Sequence, residues 1–226
     1  MMNIFSIDTT FFTLMGYPMS YLEFFGTILN IWSVYLTAKR KVLSWPVGIV
    51  AVILFFALFY QIQLYSDMVE QAYFFITGFY GWWAWTRVKA GEPDKELKVL
   101  HASTRENIRY VLSIIIGTLA LGFFMSKVHL ILPSVFLIPA DFPYLDAFTT
   151  VMSFAATILM AQKKIECWYL WILVDIIGIG LYYVKDVKFI SLEYVIFLVL
   201  ASTGLIAWRR AYNRHTKAPE VAYPTT

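Results

Sequence analysis

The run WYLWILVDIIGIGLYY, residues 168–183, carries a single charged side chain, Asp175, near its middle. Lys163 and Lys164 precede it and Lys185 follows it, so the charges mark its ends. An apolar stretch of this length matches the roughly 17–25 residues that a helix needs to cross the hydrocarbon core of a bilayer. Six further blocks of similar length surround it. Together they occupy 22–38, 46–62, 69–86, 108–125, 145–161, 168–184 and 190–208. The expected fold is an all-α integral membrane protein with seven transmembrane helices, in one polytopic domain spanning 1–226.

Composition points the same way. Sixty per cent of the 226 residues are hydrophobic and 15% are charged, whereas a soluble domain is about a quarter charged. The single cysteine, Cys167, excludes an internal disulfide and a cysteine-based metal cluster. The N-terminal stretch MMNIFSIDTTFFTLMGYPMS has no basic residue ahead of its apolar part, unlike a cleavable signal, and is expected to lie at the membrane interface. The net charge of +3 is an orientation signal and not a nucleic-acid footprint. Of 18 Lys and Arg, all but Lys127, Lys185 and Lys188 fall in the 1–2, 3–4 and 5–6 loops and the C-terminal tail. The positive-inside rule makes that side cytoplasmic and the N-terminus external, with membrane lipids as partners.

A shift of 123 residues lays 21–87 over 144–210 without a gap. Trp45 meets Trp168, Glu70 meets Glu193, Gly81 meets Gly204, and AWTR (84–87) meets AWRR (207–210). The chain therefore divides into repeat 1 (21–87), a linker helix (108–125) and repeat 2 (144–210). The linker turns the second three-helix copy parallel to the first. This 3+1+3 arrangement resembles that of sugar transporters of the SWEET type, in which the substrate site lies near the midplane between the repeats.

An aspartate at the centre of a spanning helix costs about 2.5–3.5 kcal/mol on insertion, so it faces a cavity or a partner. At 100° per residue, Trp168, Trp171, Gly178 and Tyr182 share the stripe of Asp175. In the third helix Asp67 and Gln71 are four apart, on a face that continues through Phe74 and Gly78. A primary amide offers donors and an acceptor, as recognition of another amide requires. Helix one carries Glu23, Gly26, Asn30 and Thr37, against Asp146, Thr149 and Ser153 in helix five; such stripes serve helix packing and cavity lining equally well. Glu70 and Glu193 are explained by the positive end of a helix dipole. Trp45, Trp82, Trp83, Trp85, Trp168 and Trp208 sit at helix ends and fit an interfacial belt. The candidate substrate-binding set is Asp175, Trp171, Trp168, Tyr182, Gln71, Asp67, Asn30 and Phe74. No hydrolase, P-loop or metalloprotease motif is present, and His101, His129 and His215 fall in loops or the tail, so neither an enzyme nor a cofactor is expected.

WPVGI (45–49), LYSDMVEQAYFF (64–75), YGWWAW (80–85), LDAFTT (145–150) and WYLWILVDIIGIGLY (168–182) resemble the PnuC family of vitamin transporters over about residues 21–210. That resemblance implies uptake of nicotinamide riboside across the bacterial cytoplasmic (inner) membrane by facilitated diffusion. It also implies a homotrimer and a cytosolic kinase that traps the product for NAD biosynthesis. Three other readings remain open on the residues alone. They are a carrier of a sugar or another vitamin, a proton-coupled carrier using Asp175, and a non-transporting scaffold.

Overall fold

The computed structural model describes residues 5–14, 16–61, 65–87, 98–133, 141–184 and 188–217. Lys89, Lys95 and Lys185 of the charge pattern lie outside these residues, as do the side chains of Lys188, His215 and Lys217. Seven helices follow a short hairpin. They are α1 (Tyr21–Ala38), α2 (Ser44–Gln61), α3 (Tyr65–Thr86), α4 (Thr104–Ile131), α5 (Pro143–Ala161), α6 (Glu166–Val184) and α7 (Lys188–Lys217). The chain is a seven-helix membrane protein. Five helices, α2, α4, α5, α6 and α7, reach membrane-spanning length and hydropathy by composition alone. The other two, α1 and α3, carry Glu23 and Asn30, and Asp67, Glu70 and Gln71, within their spans.

The N-terminal stretch is more regular than expected. Strands β1 (Thr10–Leu14) and β2 (Tyr17–Ser20) pair antiparallel, and Phe11 packs on Tyr21, Phe24 and Phe25 of α1. Helix α1 starts where Ser20 accepts a hydrogen bond from the Glu23 N–H, an N-cap that satisfies one of the helix's orphan donors. Gln61, at the end of α2, binds Phe5 and Ile7 of the N-terminal segment. This places the N-terminal segment and the end of α2 on the same side of the helices.

Helix α4 is longer than the expected 108–125. Ser103 and Glu106 form a reciprocal capping box, which starts the helix four residues earlier, in polar sequence. Its other end runs to Ile131. His129 therefore sits on the helix and not in a loop. The start of α4 is held by Lys164, which binds Glu106 at 3.3 Å, while His101 pairs with Glu166 at 2.9 Å.

Six helices form a closed ring in the order α1, α2, α3, α5, α6, α7, and α4 stands outside it against α5. Three consecutive helices form each repeat, and α1–α7 and α3–α5 join the repeats. The two copies match in fine detail. Arg40 and Lys163, 123 residues apart, both take left-handed φ values, 59° and 51°. Each follows a helix whose last carbonyls accept bonds from the residues beyond: Arg40 N–H to Thr37 and Lys41 N–H to Leu36 in one copy, Lys163 to Met160 and Lys164 to Leu159 in the other. That pattern is the Schellman stop. A non-glycine residue there costs of order 1 kcal/mol, offset at Lys163 by an ammonium 4.6 Å from the Trp85 ring centroid. Lys163 is 1% exposed, so it is part of the core as well as of the charge pattern.

Candidate functional site

One end of the ring is sealed by tryptophan. Trp45 lies on Gly81 and Trp168 on Gly204: a Cβ at either glycine would fall 2.2 Å and 2.6 Å from the facing ring. Glycine is required at both places so that the indole can lie on the helix backbone. Trp45 meets Trp85 edge to face at 5.4 Å, Trp168 meets Trp208 likewise at 5.4 Å, and Trp85 meets Trp208 at 6.0 Å. Because α3 and α7 are not neighbours in the ring, this last contact crosses its centre. Each central indole also binds the opposite repeat. Trp85 donates to the carbonyl of Ala161 at 3.1 Å, and Trp208 donates to the carbonyl of Thr37 at 3.1 Å. The interfacial-belt expectation thus fails for Trp45, Trp85, Trp168 and Trp208, which are at most 7% exposed. Trp82 and Trp83, by contrast, are exposed. Helix-end position cannot tell a belt from a plug, because both put an indole at the same depth.

Beyond this seal lies the stripe of α6. Asp175 is 3% exposed, one helix face and two turns from Trp168. Among the described residues no Lys, Arg or His forms an ion pair with it. Trp171 is half-buried and packs both on the core that holds the sealing tryptophans and on a second one formed by Ile114, Met152 and Val174, and its Nε1–H is buried without a hydrogen-bond acceptor among the described residues. An unmet donor of this kind is uncommon and costs about 1–3 kcal/mol unless a guest or water meets it. Tyr182 stacks on Tyr194 of α7 at 5.4 Å with 19° between the rings.

The other candidates lie across the ring on α1 and α3. Gln71, Asp67 and Asn30 are half-buried. Phe74 packs edge-on to Phe154 of α5, where Tyr73 stacks on that ring at 3.9 Å and donates to its carbonyl at 3.0 Å. Asp67 and Glu70 come within electrostatic reach of Tyr182, as do Asp146 and Glu193, so the ends of α3, α5, α6 and α7 remote from the tryptophan seal approach one another. Glu193 in turn faces Glu23 and Thr27. The end of the ring opposite the seal is therefore rimmed by two pairs of repeat-related acids, Glu23 with Asp146 and Glu70 with Glu193. The helix-dipole explanation of Glu70 and Glu193 missed this convergence, although their alignment between the repeats carried the signal. Outside the spans, Tyr17 bonds Glu23 at 2.9 Å. Partial burial and that acid push its phenol up to about 12.

Three stripe residues serve packing. A Cβ at Gly26 would lie 3.4 Å from the Phe55 ring, Thr37 bonds the Ser33 carbonyl, and Thr149 bonds carbonyls of its own helix. Trp168 is part of the seal. Among the described residues no cluster of ligating side chains could hold a metal ion.

A ring of paired three-helix repeats, sealed at one end, acid-rimmed at the other and carrying a buried carboxylate between, defines a membrane transporter. The chain belongs to the family described as nicotinamide mononucleotide transporters, whose model matches residues 20–210. It is similar to the nicotinamide riboside transporter PnuC of Escherichia coli, with 29% identity over 85% of this chain and 87% of that one. It is also similar to the riboflavin/roseoflavin transporter RibM of Streptomyces davaonensis, with 26% identity over 89% and 91%. The crystal structure of the vitamin B3 transporter PnuC superposes with a TM-score of 0.66 at 25% identity, covering 86% of this chain and 83% of that one.

Proposed function

We propose that this chain carries nicotinamide riboside into the cell by facilitated diffusion, through a midplane site between repeats 21–87 and 144–210. The family description names the mononucleotide, and relatives are named for the riboside and for riboflavin, so charge has to decide. Nicotinamide riboside is a pyridinium cation. The mononucleotide adds a phosphate of about −2 near neutral pH and riboflavin is neutral. The observation that carries the choice is Asp175, a buried carboxylate with no ion-pair partner among the described residues. A cation is the guest that holds such a buried group ionised, and an anion gains nothing from it.

In this reading Asp175 opposes the pyridinium or takes ribose hydroxyls, and Trp171 offers its face to the cation and its Nε1–H to a substrate oxygen. Gln71 or Asn30 pairs with the carboxamide, Asp67 with a hydroxyl, and Tyr182 and Phe74 supply aromatic wall. Trp168 forms the floor. The tryptophan seal faces the cytoplasm, with the N-terminus outside, the C-terminus inside and the protein in the bacterial cytoplasmic membrane. For substrate to leave inward, the Trp85–Trp208 contact and both indole bonds across the repeats have to break. The repeats then separate at that end while the outer mouth closes. The assembly implied by the family resemblance is a homotrimer.

Thermal unfolding of the detergent-purified protein with the riboside, the mononucleotide, nicotinamide or ribose tests the substrate. A ligand at 100 times its Kd adds about 2.7 kcal/mol of stability. A shift with the riboside alone is expected. A larger shift with the mononucleotide would reverse the assignment. In cells, uptake that persists with a protonophore separates facilitated diffusion from proton coupling through Asp175.

A further inference from the structure

Gly178, one turn outward of Asp175, has its missing side chain supplied by another helix. A Cβ there would lie 2.6 Å from Cδ1 and Cε1 of Tyr194, so the Tyr194 ring of α7 rests on the α6 backbone. Asp175, Gly178 and Tyr182 follow one another at i, i+3 and i+7 on a single face, and Tyr182 stacks on the same ring at 5.4 Å. Tyr194 therefore covers the stripe that carries Asp175. It lies within electrostatic reach of Asp175 and of the rim acids Glu70 and Glu193. On α7, Trp208 of the seal is 14 residues inward of Tyr194, about 21 Å at 1.5 Å per residue. Asp175 falls between these two levels.

The repeats differ at this point. Where repeat 2 has Tyr194, repeat 1 has Gln71, and where repeat 2 has Gly178, repeat 1 has Phe55. A ring and a gap have exchanged helices, so the outer wall on the Asp175 side is built by α7 leaning over α6. The family holds transporters named for a one-ring nucleoside and for a three-ring flavin on matching lengths of chain. The same ring of helices thus has to be given different depths by its side chains.

We propose that Tyr194, seated on Gly178, is the size-determining residue of the site: its ring closes the outer end of the chamber around Asp175 and limits it to a substrate with one aromatic ring. This rests on the riboside reading above. Removing the ring joins the space over Gly178 to the chamber and admits a longer aromatic system.

Calorimetric Kd values for nicotinamide riboside and riboflavin, measured on the full-length purified protein, test it. The parent is expected to bind the riboside and not riboflavin. In Tyr194→Ala the riboside weakens by roughly tenfold, the scale of a mismatched pocket, and riboflavin binding appears. Tyr194→Phe keeps the parent's selectivity, because the ring and not the hydroxyl fills the gap. Gly178→Ala pushes the ring inward and weakens the riboside without admitting riboflavin. Tyr194→Leu serves as the second truncation should the alanine variant fail to fold, with the same expectation. A folded truncation that keeps the parent's riboside affinity and still excludes riboflavin overturns the size limit alone. A parent that fails to bind the riboside overturns the substrate reading and the size limit together.

Discussion

Asp175 and Trp168 stood on the same stripe in sequence, two turns apart, and the structure gives them different work. Asp175 is buried without an ion-pair partner among the described residues, while Trp168 is clamped between Gly204 and Trp208. Asp175→Asn keeps the shape and removes the charge. A hydrogen bond to a charged group contributes about 1.5–3 kcal/mol, so the riboside Kd should rise about 10- to 100-fold, with the melting temperature of the free protein unchanged or higher. Isothermal titration reads the first and a thermal scan the second. Trp171→Leu should likewise weaken the riboside, by the 0.5–2 kcal/mol of a cation over an indole face. Trp168→Leu is expected to do the reverse. It leaves a cavity in the seal, costing about 2–5 kcal/mol in stability, and changes affinity little. Equal affinity losses for Trp168→Leu and Trp171→Leu would place both in the site.

At the scale of elements, the repeats are held by glycine faces that receive tryptophan rings. Gly81→Ala and Gly204→Ala place a methyl carbon 2.2 Å and 2.6 Å from those rings, and overpacking of this kind costs about 1–3 kcal/mol. Gly180 lies in the same helix as Asp175, yet its added Cβ would have nothing within 4 Å. Gly180→Ala should therefore be neutral or stabilising by up to about 1 kcal/mol, from the helix propensity that glycine lacks. Melting temperatures of the three variants check the contrast. Periodicity located the helices well because a bilayer imposes one length on all of them. It was less sure of their ends. The start of α4 was legible only in hindsight, from Ser103 and Glu106 at capping-box spacing, since those residues lie outside the apolar block that defined the span.

Across the whole molecule, the repeat makes one closure out of two distant segments. Trp85 and Trp208 each donate to a carbonyl of the other repeat, at Ala161 and Thr37, and the contact of their rings bridges the ring of helices. Cys167, fully buried beside Trp168 in this closure, is the chain's single thiol and so a native reporter of its opening. Trp208→Phe keeps an aromatic ring but deletes the bond to Thr37. Cys167 should then react faster with a membrane-permeant maleimide, followed by mass spectrometry, while riboside binding is retained. A labelling rate equal to the parent's would show that the indole bonds do not hold this end shut.

Seven helices and a duplicated three-helix unit were readable from the chain alone, because hydrocarbon thickness and a constant 123-residue offset each leave a linear trace. Asp175 was readable too, since a carboxylate in an apolar run needs a reason wherever the run folds. Which tryptophans face lipid and which meet at the centre was not, for helix ends look alike in one dimension. Nor could the filling of Gly178 by Tyr194, 16 residues further along and on the next helix, be inferred from spacing. Those assignments depend on how α3, α6 and α7 rotate against one another in the ring, and rotation is decided by packing between helices that the hydrophobic pattern of each one, apolar almost all round, leaves free.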